Sequence, residues 1–204
     1  MPENIQIFTF LFLMLGPFKI IGPFAKMTEH ATSQLTNKIA LQATLFATLG
    51  VLIASFVGEN ILNNFGIPVP ILALTGGLIL FLVALTNVIQ QYSPAKTKED
   101  QPTPTILMAL NPLAFPVIVT PYGIAAVIVF MTISPGLQEK LIIGAIVIGI
   151  MVLNLITMML TRYIGKILFL FLSILGSVLG VVQVALGLMI VYNQLKVLFQ
   201  FTGI

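Results

Sequence analysis

The sequence predicts an all-α integral membrane protein, with six transmembrane helices forming two inverted three-helix repeats in which spans 1 and 4 are broken. Three observations predict this. Of 204 residues, 58% are hydrophobic and only 7% are Asp, Glu, Lys or Arg, about a quarter of the charged share of a soluble domain. A spanning helix takes about 20 mostly apolar residues, so this length holds about six spans with short loops and leaves no room for a soluble domain. Gly/Pro interruptions then recur in the first apolar run of each half. They are Gly16-Pro17-Phe18-Lys19-Ile20-Ile21-Gly22-Pro23, and Asn111-Pro112-Leu113-Ala114-Phe115-Pro116 followed by Thr120-Pro121-Tyr122-Gly123.

The first span is expected at residues 5 to 24. The chain opens Met1-Pro2-Glu3-Asn4, without the basic region of a cleavable signal, so this span is expected to be retained. Uninterrupted apolar runs place the second span at 39 to 57 and the third, which carries Gly76-Gly77, at 68 to 89. A polar stretch follows, in which Pro94, Pro102 and Pro104 stop either flanking helix from continuing. It divides the single transmembrane domain into repeat one (1–91), a linker (92–105) and repeat two (106–204). Span four, at 106 to 132, is long because it contains the second interruption; spans five and six fall at 140 to 161 and 168 to 192, the last with Gly176 and Gly180. Three spans per half is an odd number, so the second half enters the bilayer from the opposite side and the repeats are inverted. Lys26, Lys38, Lys96, Lys98, Arg162 and Lys166 follow the odd-numbered spans, whereas the other side carries Lys140 and Lys196. The positive-inside rule therefore puts both termini outside the cytoplasm.

Several function classes are excluded by what the chain lacks. With no cysteine there is neither a disulfide nor a thiolate metal site. There is no nucleophile and base pair, no ligand cluster at metal spacing and no phosphate-binding loop, so neither an enzyme nor an ATP-driven pump is expected, and no cofactor or metal. The nine basic residues sit mostly between spans and read as topology signals, which removes nucleic acid as a partner. The bilayer is the expected environment, and a homo-oligomer is compatible with it.

A helix interrupted in lipid frees backbone N–H and C=O groups, each costing several kcal/mol unless satisfied. Inverted symmetry brings the two interruptions together near the midplane, where half-helix N-termini face a carboxylate and C-terminal carbonyls face an ammonium. Gly16, Pro17, Lys19, Asn111, Pro112, Thr120 and Tyr122 are the candidate substrate-binding residues. Gly22, Pro23, Pro116, Pro121 and Gly123 are expected to shape the interruptions. Lys19 has two readings. A lysine at the centre of a span costs about 2.5 to 3.5 kcal/mol, so it either faces the pocket, holding a carboxylate or replacing a coupling ion, or it snorkels to the interface. Lys19, Glu59 and Glu29 are the candidate coupling groups for a proton or sodium ion; the bland alternative makes Glu59 an exposed carboxylate at a turn and His30 a solvated loop histidine. Asn87, Asn154 and Gln183 read as interhelical hydrogen-bonding groups, and Gly76, Gly77, Gly180 and Gly187 as sites of close helix packing.

Three stretches carry a resemblance. They are Val57-Gly58-Glu59-Asn60-Ile61-Leu62-Asn63-Asn64-Phe65-Gly66-Ile67, Thr75-Gly76-Gly77-Leu78-Ile79-Leu80-Phe81-Leu82-Val83-Ala84-Leu85, and Pro112-Leu113-Ala114-Phe115-Pro116 with Pro121 beyond. They are similar to the second turn, third helix and fourth-span signature of the MarC-type membrane proteins, and the chain resembles that family over nearly its whole length. It departs from the family pattern in having Gly16-Pro17 for Asn-Pro, Lys19 for a small residue, and Thr120-Pro121-Tyr122-Gly123 for Gly-Pro-Gly. The resemblance implies a secondary transporter of small neutral amino acids, glycine or alanine, working by alternating access in a bacterial or archaeal inner membrane. The alternatives are a passive pore or structural membrane component, and an exporter of larger or drug-like compounds.

Overall fold

The computed structural model describes residues 4–90, 105–134, 136–161 and 166–201. All the regular structure among them is helical: α1 (Asn4–Leu15), α2 (Phe18–Met27), α3 (Ser33–Phe65), α4 (Val69–Gln90), a single 3-10 turn at Ile106–Ala109, a wide-turned segment at Leu110–Ile118, α5 (Pro121–Ile133), α6 (Leu137–Thr161) and α7 (Lys166–Phe201). Five helical stretches are long and apolar enough to cross a membrane, and the bent pair Ile106–Ile118 and Pro121–Ile133, meeting at 62°, makes a sixth if counted as one span. Side chains such as Phe56, 75% exposed, project outward from these helices. Apolar surface on that scale suits lipid and not water. Lys96 and Lys98 of the expected linker, and Arg162, lie outside the described residues.

Helix α3 is longer than its apolar run. Expected at 39 to 57, it extends from Ser33 to Phe65. Glu59, read from sequence as lying at a turn, is therefore inside a helix, and its carboxylate accepts from Lys140 Nζ of α6 at 2.5 Å. Glutamate and asparagine continue a helix at little cost, so leaving the apolar run does not end it. The helix ends where Gly66 takes a positive φ of 62° and Ile67 N–H donates back to Leu62 C=O at 2.9 Å. This is a Schellman closure, which a glycine adopts without a Cβ penalty, and Pro68 then bars continuation.

The core runs along one stripe of α3, where Ile39, Ala40, Ala43, Ala47 and Val51 are fully buried. Their spacing of three and four residues makes one helical face, and the alanines let neighbouring backbones approach. Thr44 and Ser55 lie on it too, each donating its hydroxyl to the carbonyl four residues back, Ala40 and Val51, so no partner outside the helix is needed. Against this stripe pack α5, α6 and the wide-turned segment, while α4 lies along α7 in the most extensive helix pairing of the molecule.

The wide-turned segment has extended backbone at Asn111 (φ −132°, ψ 123°) and Phe115 (φ −129°, ψ 126°), both immediately before prolines. A following proline ring disfavours the helical region, which accounts for both positions. Val119 N–H then reaches Ala114 C=O, five residues back, at 2.9 Å. The next helix begins cleanly: Thr120 is its N-cap, Pro121 occupies the first turn, where no N–H is missed, and Thr120 Oγ1 accepts from Gly123 N–H at 3.2 Å. Thr120→Val is expected to cost about 1 kcal/mol of stability, in the usual range for a lost N-cap. Thermal unfolding in detergent reads this directly, and an unshifted midpoint would remove the cap from the account.

Candidate functional site

The first turn of interest falls between α1 and α2. Gly16 N–H still donates to Phe12 C=O at 2.8 Å, but Pro17 has no N–H to give to Leu13, and α2 restarts with Ile20 N–H on Pro17 C=O at 3.0 Å. The last carbonyls of α1 therefore lose their normal partners. Three polar side chains replace them. Gln183 Nε2 of α7 donates to Leu13 C=O at 2.7 Å, Lys19 Nζ of α2 to Met14 C=O at 2.5 Å, and Asn154 Nδ2 of α6 to Leu15 C=O at 2.8 Å. A carbonyl buried in apolar surroundings without a partner costs a few kcal/mol, so a polar residue on each of three elements meets a definite need.

Gly16 and Pro17 are buried at this turn, and Lys19 is half-buried. The Lys19 ammonium lies 5.5 Å from the centre of the Tyr122 ring, within cation–π reach. Tyr122 belongs to the first turn of α5, and a Cβ on its neighbour Gly123 would come within 2.5 Å of Leu15 Cδ2. The glycine is what admits Leu15, so the end of α1 abuts the start of α5. The structure thus brings Gly16, Pro17, Lys19, Thr120, Tyr122 and Gly123 to one junction.

Pro121, between Thr120 and Tyr122, is at the junction but exposed. The other expected residues lie elsewhere: Asn111, Pro112 and Pro116 are exposed, as are Gly22 and Pro23 on α2. Glu29 and His30 are exposed beyond the end of α2, and Glu59 holds Lys140 at the far end of α3. Phe115 does reach inward, its ring packed where α3 has Gly50 in place of a side chain. Asn154 and Gln183 were legible in sequence as polar residues inside spans, which is the signal that finds them; that both serve the turn after α1 was not legible.

Among the described residues, two hollows adjoin the junction and a third lies around the end of α2. One of about 140 Å³ lies among Phe10, Met14, Gly76, Leu80, Tyr122 and Phe130, and its walls are almost wholly apolar. A small one of about 50 Å³ is bounded by Leu13, Gly16, Lys19 and Gln183. A third, of about 210 Å³, lies between Phe24, Thr28, Glu29, Thr36 and Thr161. Each of its three threonine hydroxyls donates to the carbonyl four residues back, Phe24, Thr32 and Thr157, which leaves lone pairs free on the oxygens. Among the described residues, no group of three or more His, Cys, Asp and Glu side chains could hold a metal.

A model described as "MarC family integral membrane protein" matches residues 1–199 of the chain. The UPF0056 membrane protein MJ1677 of Methanocaldococcus jannaschii is 28% identical over 192 residues, 93% of this chain and 94% of that protein. The UPF0056 membrane protein YhcE of Escherichia coli is also 28% identical, over 134 residues, and there the match covers 64% of this chain and 62% of the relative. The relative BU267 of Buchnera aphidicola is 30% identical over 133 residues, with 63% of this chain and 61% of that protein aligned. The chain thus spans somewhat less than two thirds of two of these relatives and nearly all of the archaeal one. No solved structure matches it.

Proposed function

Because the chain belongs to the MarC family of integral membrane proteins, we propose that it is a secondary carrier, which moves a small neutral amino acid such as glycine or alanine by alternating access around broken spans 1 and 4. The observation that carries this reading is the junction itself, where the Lys19 ammonium stands 5.5 Å from the Tyr122 ring at the first turn of α5. A cation and the positive end of a helix dipole lie side by side there, and together they favour a carboxylate. The α1 carbonyls, which sequence reasoning offered to a substrate ammonium, already hold Lys19, Asn154 and Gln183. The charge at the junction is positive, so the carboxylate is the anchored end of the solute, and the small side chain faces the apolar hollow beside Met14 and Tyr122. In this reading residues 1–91 and 106–204 are inverted repeats, and both termini lie outside the cytoplasm of a bacterial or archaeal cell.

The apolar walls of that hollow favour a second reading, an exporter of larger or drug-like compounds. Proteoliposome uptake and thermal unfolding separate the readings. The carrier is expected to show saturable counterflow of labelled glycine or alanine, and a rise in unfolding temperature with either solute, as binding to the folded state alone requires. Flux linear in concentration would mean a passive pore. Stabilisation by apolar compounds and none by glycine or alanine would mean the exporter.

A further inference from the structure

We propose that the C-terminal end of α1 is a monovalent-cation site whose occupant in this chain is the Lys19 ammonium, a tethered ion in place of a free one. The carbonyls of Leu13, Met14 and Leu15 are three successive acceptors at the negative end of a helix dipole, and each has a lone pair beyond the one used by its side-chain partner. Half-helix C-termini and unwound carbonyls are the groups that hold sodium in carriers built from broken helices.

A second observation points to the same place. Asn154 is fully buried, and while its amide nitrogen donates to Leu15 C=O, its Oδ1 has no hydrogen-bond partner among the described residues. An unpaired carbonyl-type oxygen in a buried setting costs a few kcal/mol, and it is a ligand suited to a hard cation. At the same turn, the hollow of about 50 Å³ bounded by Leu13, Gly16, Lys19 and Gln183 is of the size that takes a small ion or a water completing its shell. In wild-type protein Nζ already supplies the positive charge, and Met14 C=O receives it. Removing that charge leaves an oxygen-lined, negatively poised end of a helix inside the bundle, which a sodium ion can fill.

The consequence for transport rests on the carrier reading: wild-type uptake would need no sodium at this position, because the chain brings its own cation. The site itself is tested without transport, so its failure is distinct from a failure of glycine protection in the wild type. Purified wild type, Lys19→Met, Lys19→Gln and the double variant Lys19→Met with Asn154→Leu are unfolded thermally in detergent, in sodium chloride or in choline chloride at equal ionic strength. The expected result is a wild type indifferent to the choice of salt. Each single variant is lowered in choline and restored by several degrees in sodium in a dose-dependent way, and the response is absent in the double variant. Lys19→Gln keeps a donor for Met14, so it guards against a variant lost simply for want of a hydrogen bond. Equal sodium responses in wild type and single variants, no response in any of them, or failure of both single variants to fold in either salt would each overturn the proposal.

Discussion

Asn154→Leu is expected to lower the unfolding free energy by about 1 kcal/mol, the low end of the penalty for stranding a buried hydrogen-bonding group, because it also removes the Oδ1 that has no partner among the described residues. The side chain is fully buried on α6, and it is the partner of Leu15 C=O, a carbonyl without its normal helical donor because the chain turns at Gly16 and Pro17. Leucine fills nearly the same volume, so the loss comes from the stranded carbonyl and not from a cavity. Water that would soften such a loss at a soluble surface is scarce inside a membrane bundle. Gln183→Leu strands Leu13 C=O in the same manner, but Gln183 is only half-buried beside a hollow and the cost should be smaller. The two residues serve adjacent carbonyls of one turn, so the double variant should depart from additivity. Equilibrium unfolding in mixed micelles measures all three. A value for Asn154→Leu within about 0.5 kcal/mol of wild type, the range of an ordinary surface change, would mean that Leu15 finds another donor.

Gly187→Leu should destabilise the protein by about 3 kcal/mol, at the upper end of overpacking costs. Gly187 lies on α7 against α4, and a Cβ there would stand 2.7 Å from the Phe81 backbone nitrogen and 2.8 Å from its Cα. Backbone cannot rotate aside as a side chain can. The two helices must part along the most extensive interface in the molecule, and dispersion contacts are lost over several turns. Gly77 faces the same interface from α4, and its added Cβ would meet Ile190 Cγ2 at 2.6 Å and Cβ at 2.9 Å, with Gly187 C=O at 3.3 Å. A β-branched side chain on a helix yields little, but only one methyl is added, so Gly77→Ala should cost about 1 to 2 kcal/mol, partly offset by alanine's better helix propensity. Thermal unfolding and protease resistance in detergent give the ranking, and a Gly187→Leu variant as stable as Gly77→Ala would show that α4 and α7 do not depend on this close approach.

The sequence by itself determined that this chain is helical and membrane-embedded, and where helices end next to Pro17 and Pro121. These are local consequences: an apolar run cannot leave lipid without exposing itself, and proline lacks an N–H and restricts the residue before it. It also marked Lys19, Asn154 and Gln183 as polar groups needing a reason to lie within spans. Only the tertiary structure decided what that reason is. Asn154 meets Leu15 across 139 residues and Gln183 meets Leu13 across 170, and no periodicity specifies which of many orphaned groups a distant side chain will satisfy. The same holds for Glu59, whose partner Lys140 is 81 residues away. Tertiary packing likewise put Lys19 beside Tyr122 while leaving Asn111 exposed. Buried polar groups are paired by proximity in space, and proximity is set by how whole helices pack against one another.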